Sequence, residues 1–318
     1  MAIVRRGYIL DGDLTAAQLL KWLPPGTVLD SVKVALSNTS ACIDYDDTTV
    51  DVVDLDSAMQ AFGYVPGETS TVSVRAAGDF PVPVGGVITL QEKTAYEVEG
   101  VIDITPNVLL LGDGTTLIGR SPSTDQIVSH QGAAVLQVDA APGSDTVAVI
   151  QSVQVINGVA DCVDFAGDAF VLMSLCGLAG VSAGRLHDLK RAAIADCVLQ
   201  QIAQGFRFEG SITSTVFSRL QAYDMFPGCT VIQALAPCTF GLLQISDSTV
   251  SFSDASQNGF DLDESIATSP SDDAVGVMGN LFRGPGTPLV AGAGKAAPGS
   301  SPNPPWRFMS NIGIADTP

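Results

Sequence analysis

The stretch from Gly100 to Ser129, GVIDITPNVLLLGDGTTLIGRSPSTDQIVS, decides the fold. Its apolar residues come in short runs, VIDI, VLLL and TTLI, each ended by Pro-Asn, Gly-Asp-Gly or a polar string. Runs this short, with turn residues between them, read as strands, because a helix needs a longer apolar period and Gly, Asn and Asp supply turn conformations. Inside it, GTTLIGRS (114–121) has the Gly, four residues, Gly spacing of a phosphate-binding loop, with Arg120 in place of Lys. Such a loop must open a helix whose N–H groups face the anion. Here Thr115, Thr116, Leu117 and Ile118 read as a strand and Pro122 follows, so no nucleotide site is assigned.

The same texture extends outward from about residue 72, through TVSVRAAG, GVITL, AAVLQVDAA and TVAVIQSVQVING. A weak repeat follows, starting at Val159 (VADCVDFAGDAFVLMSLCGLAG), Ala192, Ser214, Thr239, Ala274 and Arg307. Starts spaced by roughly 22 to 35 residues signal a solenoid, in which one coil cannot bury its apolar face alone and stacked coils make a continuous core. The alternation in VDFAG, FRFEG and FDLDE is that of a strand with one face inward. Composition agrees: 46% hydrophobic residues can form a sizeable core, and 32 Gly and 18 Pro are too many for a helix bundle. Apolar residues inside and Ser, Thr, Asp and Asn outside reconcile a mean hydropathy of +0.31 with a net charge of -19.

The expected fold is therefore mainly β, a solenoid of stacked coils paired in parallel over residues 72–290, preceded by a small α+β module over 1–71. In that module Asp13 caps a helix carrying Ala16, Leu19, Leu20 and Leu23, stopped by Pro24, Pro25 and Gly26. A second helix starts at Asp54, carries Leu55, Ala58, Met59 and Phe62, and closes at Gly63. Between them SVKVAL and TTVDVVDL read as strands, separated by SNTSACIDYDD, and Leu19, Trp22 and Phe62 as core. Residues 291–318 read as a Gly/Pro-rich linker with a closing strand around Trp306 and Phe308, which either pairs as a last strand or packs on a neighbouring chain, the second being preferred.

With 34 acidic against 15 basic residues, most of the surface repels a phosphate backbone, and nucleic acid is not an expected partner. No apolar run reaches the roughly 18 residues of a membrane helix, and the start lacks the pattern of a Sec signal. Six cysteines, Cys42, Cys162, Cys176, Cys197, Cys229 and Cys238, contain no C-x-x-C and read as buried free thiols. His130 and His187 are the only histidines, and neither lies near a cysteine in sequence, so no zinc site, other metal or cofactor is expected.

The stretch 100–129 resembles the opening coils of right-handed parallel β-helices of the pectate-lyase-like class. The whole layout resembles bacteriophage tail spikes, tail fibres and related virion appendages. The resemblance implies a structural protein exposed on the virion surface. Its partners would be itself, as a homotrimer, other virion proteins through the amino-terminal module, and a host surface glycan. A polysaccharide lyase or glycoside hydrolase on the same fold is the alternative it implies.

Two carboxylate groups are the places to look for such chemistry: Asp161, Asp164 and Asp168, and Asp254, Asp261, Asp263 and Glu264. Glycosidases need two carboxyls about 5 to 9.5 Å apart. An enzyme would draw on Asp161, Asp164, Asp261 and Asp263; the competing reading is solvated turn residues, and no residue is assigned as catalytic. Neither group has a known calcium-loop spacing. Arg185, Lys190, Arg191, Arg207 and Arg219 do not match the catalytic Arg motifs of pectate lyases. His187 and Asp188, in GRLHDLKRAA, read as loop residues at the shaft surface, and 6% aromatics is low for an extended glycan groove.

Overall fold

A computed structural model describes residues 3–10, 40–46, 64–66, 70–144, 146–262, 265–267, 275–290, 306–309 and 311–312. Near the amino terminus, Ile3–Leu10 pairs antiparallel with Ser40–Asp46 on one side and Tyr64–Pro66 on the other. The helices expected from Asp13 and Asp54, and the runs 31–36 and 48–55, lie outside the described residues. The α+β module is not supported: what the described residues of 1–71 show ahead of Ser70 is a three-stranded antiparallel sheet. Its strand Ser40–Asp46 falls in the segment read as a separator, where Ala41, Ile43 and Tyr45 alternate with Cys42 and Asp44. Among the described residues the only helix is one 3-10 turn, Ala77–Asp79.

From Ser70 onward the chain winds into a right-handed parallel β-solenoid of about eight turns. Each coil contributes to three faces. The first face runs from Ser70–Val74 through Thr94–Val98, Thr115–Gly119 and Thr146–Gln151 to residues 169–174, 191–195, 214–218 and 242–246, then Val275–Met278 and Trp306–Met309. The second stacks Val101–Asp103, Gln126–Ser129, residues 154–157, 177–180 and 198–200, Gln221–Tyr223, Thr249–Ser251 and Leu281–Arg283. The third stacks Val87–Thr89, Val108–Leu110, Leu136–Ala140, residues 163–167, 184–187, 206–208 and 230–234, Asn258–Asp261 and Thr287–Val290. The long strands Gln154–Ser174, Gly177–Ala195 and Val198–Ser218 bend through two corners and so serve all three faces in turn. Of the two places expected for the closing strand, Trp306–Met309 takes that of a last strand, paired within its own chain beside Val275–Met278.

Alternation fills the interior. On the second face Ile127, Val155, Leu178, Leu199, Ala222, Val250 and Phe282 all point inward and are buried. Phe206, Phe217, Phe208 and Phe240 form a run of ring contacts with centroids 5.2, 5.8 and 5.1 Å apart. A buried side chain of this size contributes roughly 1.5–3 kcal/mol, so the coils cohere through a stack of small, similar gains.

The corner between the first and second faces repeats one device. Ser152, Leu175, Asp196, Arg219 and Asp247 adopt φ of 54, 55, 54, 52 and 52°, and Gly279 follows at 68°. Each of the first five donates its N–H to the carbonyl that ends the first face in the next coil: Ser174, Ala195, Ser218, Ser246 and Met278. A left-handed non-Gly residue costs roughly 1–2 kcal/mol, which the bond and the buried residue after it offset. Those next residues are Val153, Cys176, Cys197, Leu220, Ser248 and Asn280, all buried.

Candidate functional site

Of the candidate carboxylates, Asp164 and Asp261 lie on the outside of the third face, with Asp161 at the corner that leads into it. At the start of that corner Asn157, fully buried, donates Nδ2 to the carbonyls of Ala133 and Asp161, while its Oδ1 accepts from the N–H groups of Val159 and Ala160. This closed set of bonds shapes the corner that delivers Asp161 to the surface. Gly180 lies directly above Asn157 at φ +128°, and a Cβ there would stand 1.9 Å from the Asn157 carbonyl oxygen, so only glycine fits.

Parallel pairing then lines up residues 21 or 22 positions apart. Asp164 pairs with Arg185, Arg185 with Arg207, Ala166 with His187, and His187 with Glu209. Arg185 donates Nε and Nη2 to the two oxygens of Asp164 at 3.3 and 3.4 Å, and its Nη1 stands 3.6 Å from Glu209 Oε2. His187 Nε2 sits 3.1 Å from Asp164 Oδ1 and 3.0 Å from Arg185 Nη2, so its protonation decides which of the two it bonds. One coil further, Arg207 Nη2 donates to both oxygens of Asp161 at 2.5 and 2.7 Å. Burial works against the Arg185 charge, but Asp164, Glu209 and Asp161 outweigh it and raise its pKa above the ordinary value. Arg207 Nε and Ser182 Oγ are buried without a hydrogen-bond partner.

The structure thus brings Asp161, Asp164, Arg185, His187, Arg207 and Glu209 together. His187 lies within a strand rather than a loop, and its carboxylate neighbour is Asp164 from the preceding coil. Asp188 turns away at φ 47° and accepts from the N–H of Ser211. The pairing that assembles this network joins separate coils, so sequence spacing gave no sign of it.

The other candidates stand apart. Asp261 shares the outward column of Asp164, but Arg185, Arg207 and Gln233 intervene. Four rungs at about 4.8 Å put the two aspartates roughly 19 Å apart, beyond the carboxyl spacing of glycosidases. Asp168 accepts from the N–H of Gly143, and Asp254 binds the N–H and hydroxyl of Ser256, so both serve turns. Asp263 and Glu264 lie outside the described residues.

The phosphate-loop look-alike resolves in the same way. Thr115–Gly119 is a buried strand. The N–H groups of Arg120 and Ser121 point at a carboxylate of the chain itself: Asp125 Oδ2 accepts both, at 2.6 and 3.2 Å, and Oδ1 accepts from Gly100. Of the six cysteines, Cys162, Cys176, Cys197, Cys229 and Cys238 are buried free thiols; the Cys42 side chain lies outside the described set. Burial pushes the Cys162, Cys229 and Cys238 thiols up to about 12.

An acid–base pair needs carboxyls facing an open cleft at fixed separation. In this network the carboxylates face guanidinium groups one or two coils away, an arrangement that ties coil to coil. The chain matches no family model and no curated protein gives a significant match.

Proposed function

We propose that this protein is a structural component of a bacteriophage particle, a homotrimeric spike or fibre anchored through residues 1–71 with its solenoid directed at the host surface. The observation that carries this reading is the interlocking of the third face: the residues best suited to chemistry are engaged in ion pairs between coils. The resemblance of the whole layout to bacteriophage tail spikes and tail fibres supplies the biological setting. On this reading the shaft works by rigidity, and weak surface contacts gain strength from multiple copies held in fixed register.

The same network favours a second reading, because it is where a polysaccharide lyase or glycoside hydrolase on this fold would assemble its charges, and fold alone does not separate the two. Native mass by light scattering, paired with an assay for released sugar ends on acidic polysaccharides with and without Ca2+, decides between them. The structural reading expects three times 32.8 kDa and no cleavage. Cleavage that disappears in Asp161→Asn or Asp164→Asn would overturn it in favour of the enzyme.

A further inference from the structure

At the corner between the first and second faces, two of the buried residues that follow the left-handed position are cysteines in successive coils. Ser174 pairs with Ala195 and Gly177 with Val198, so Cys176 and Cys197 hold the same place one rung apart. Hydrogen bonds on both sides fix that place: the Leu175 N–H donates to the Ala195 carbonyl, and the Val198 N–H to the Cys176 carbonyl. The side chains share one pose as well. Cys176 Sγ donates to the Ser174 carbonyl at 3.2 Å, and Cys197 Sγ to the Ala195 carbonyl at 3.3 Å. The two thiols touch, through a side-chain hydrogen bond between them. Among the described cysteines no other two are stacked: Cys162 is level with Ala183, Cys229 with Gln257, and Cys238 with Gly210 and Ser265.

A rung of about 4.8 Å falls inside the roughly 4.4–6.8 Å between Cα atoms that a disulfide spans, and both side chains face the core. Closing the bond draws the Cβ atoms about 1 Å nearer than the rung, a strain that leaves the bond reducible. Val153 and Leu220, on the rungs to either side, are buried and apolar. Burial and the adjacent thiol hold Cys197 well above the ordinary thiol pKa, so the closed coil offers little of the thiolate that a nucleophile or metal ligand needs. We propose that Cys176 and Cys197 form a reversible disulfide that ties one whole coil into a closed ring. The oxidant is a small-molecule disulfide such as oxidised glutathione. While the coil is open, one cysteine thiolate attacks it, giving a mixed disulfide and releasing one small thiolate. As the coil closes, the second cysteine attacks the first and expels the other small thiolate. Two electrons pass from the protein sulfurs to the small disulfide, and its two thiols carry away the two protons. Stacking favours the second step by making it intramolecular. The bond forms whether the solenoid serves as a shaft or as an enzyme.

The test takes the full chain carrying Cys42→Ala and holds it in oxidised glutathione, in urea just below the unfolding midpoint. It is then alkylated, digested with trypsin and weighed. Cleavage after Arg120, Arg185, Arg191 and Arg207 leaves Cys176 in fragment 121–185, together with Cys162, and Cys197 in fragment 192–207. The expected result is these two fragments linked, with two thiols fewer than the reduced chain and at least roughly tenfold more of this link than of any other cysteine pair. The link persists in Cys162→Ala, disappears in Cys176→Ser and in Cys197→Ser, and opens with dithiothreitol. Ser248 occupies the same corner place two coils on, so serine fits there, and hydrogen exchange checks that each variant keeps its coils. In fully denaturing urea the preference for this pair is lost. Free thiols at both positions at every glutathione ratio overturn the proposal. So does a link that runs through Cys162, or an even mixture of pairs.

Discussion

At the scale of single residues, Asp125 ties the first coils together. Burial would raise its pKa, and the N–H groups of Gly100, Arg120 and Ser121 overcome that and bring it below the ordinary carboxylate value. A depressed folded-state pKa means that this stabilisation is fully present above the unfolded value of about 4 and is lost as pH falls through the folded value. Denaturant midpoints taken from pH 6 down to pH 2 should therefore fall more steeply for the wild type than for Asp125→Asn; parallel curves would refute the role. At neutral pH, Asp125→Ala should cost about 1–3 kcal/mol, because three N–H groups lose their acceptor. The cysteines give a second expectation. A Cys42→Ser chain should react with a thiol reagent only as fast as it unfolds, since the described thiols are buried and Cys162, Cys229 and Cys238 stand at about 12. Fast reaction at pH 8 in native buffer would contradict the burial.

At the scale of the strand and the corner, ladders of different chemistry should be worth different amounts. Arg219 donates Nε and Nη2 to Asp196 at 2.6 Å each, yet its side chain is half exposed, so Arg219→Ala should cost no more than about 1 kcal/mol. Phe208, between Phe217 and Phe240, should cost about 3–5 kcal/mol as Phe208→Ala. Urea midpoints of the two variants settle the order, and equal losses would show that the corner bonds carry the fold. The aromatic ladder was legible in FRFEG, because inward alternation leaves a period of two. The corner was not: Ser152, Leu175, Asp196, Arg219 and Asp247 share a left-handed backbone but no side-chain chemistry, and what holds them is a bond to the next coil. The Asp164–Arg185–His187 contact escaped for the same reason, since its members meet only once the register is known. The amino-terminal helices, read from apolar spacing together with cap and stop residues, lie outside the described residues. That spacing passed over the alternation in Ser40–Asp46, which the chain does use.

At the scale of the whole molecule, each coil rests on its neighbours, so stability is nearly one-dimensional and losses begin at the ends. Hydrogen exchange should be slowest over residues 154–246 and faster toward Ser70–Val74 and Trp306–Met309; uniform rapid exchange would be incompatible with stacked coils. One further consequence lies in the register. Gly177 pairs with Val198 and Ala195 with Ser218, so the coil from 177 to 197 begins and ends at equivalent points. Removing it would join Cys176 to Val198 with every later partner displaced by one storey, and the molecule would shorten by a single step of about 4.8 Å. The chain is in this sense a ruler: insertion or loss of whole coils changes its reach in fixed increments, while a cut of any other length breaks the count.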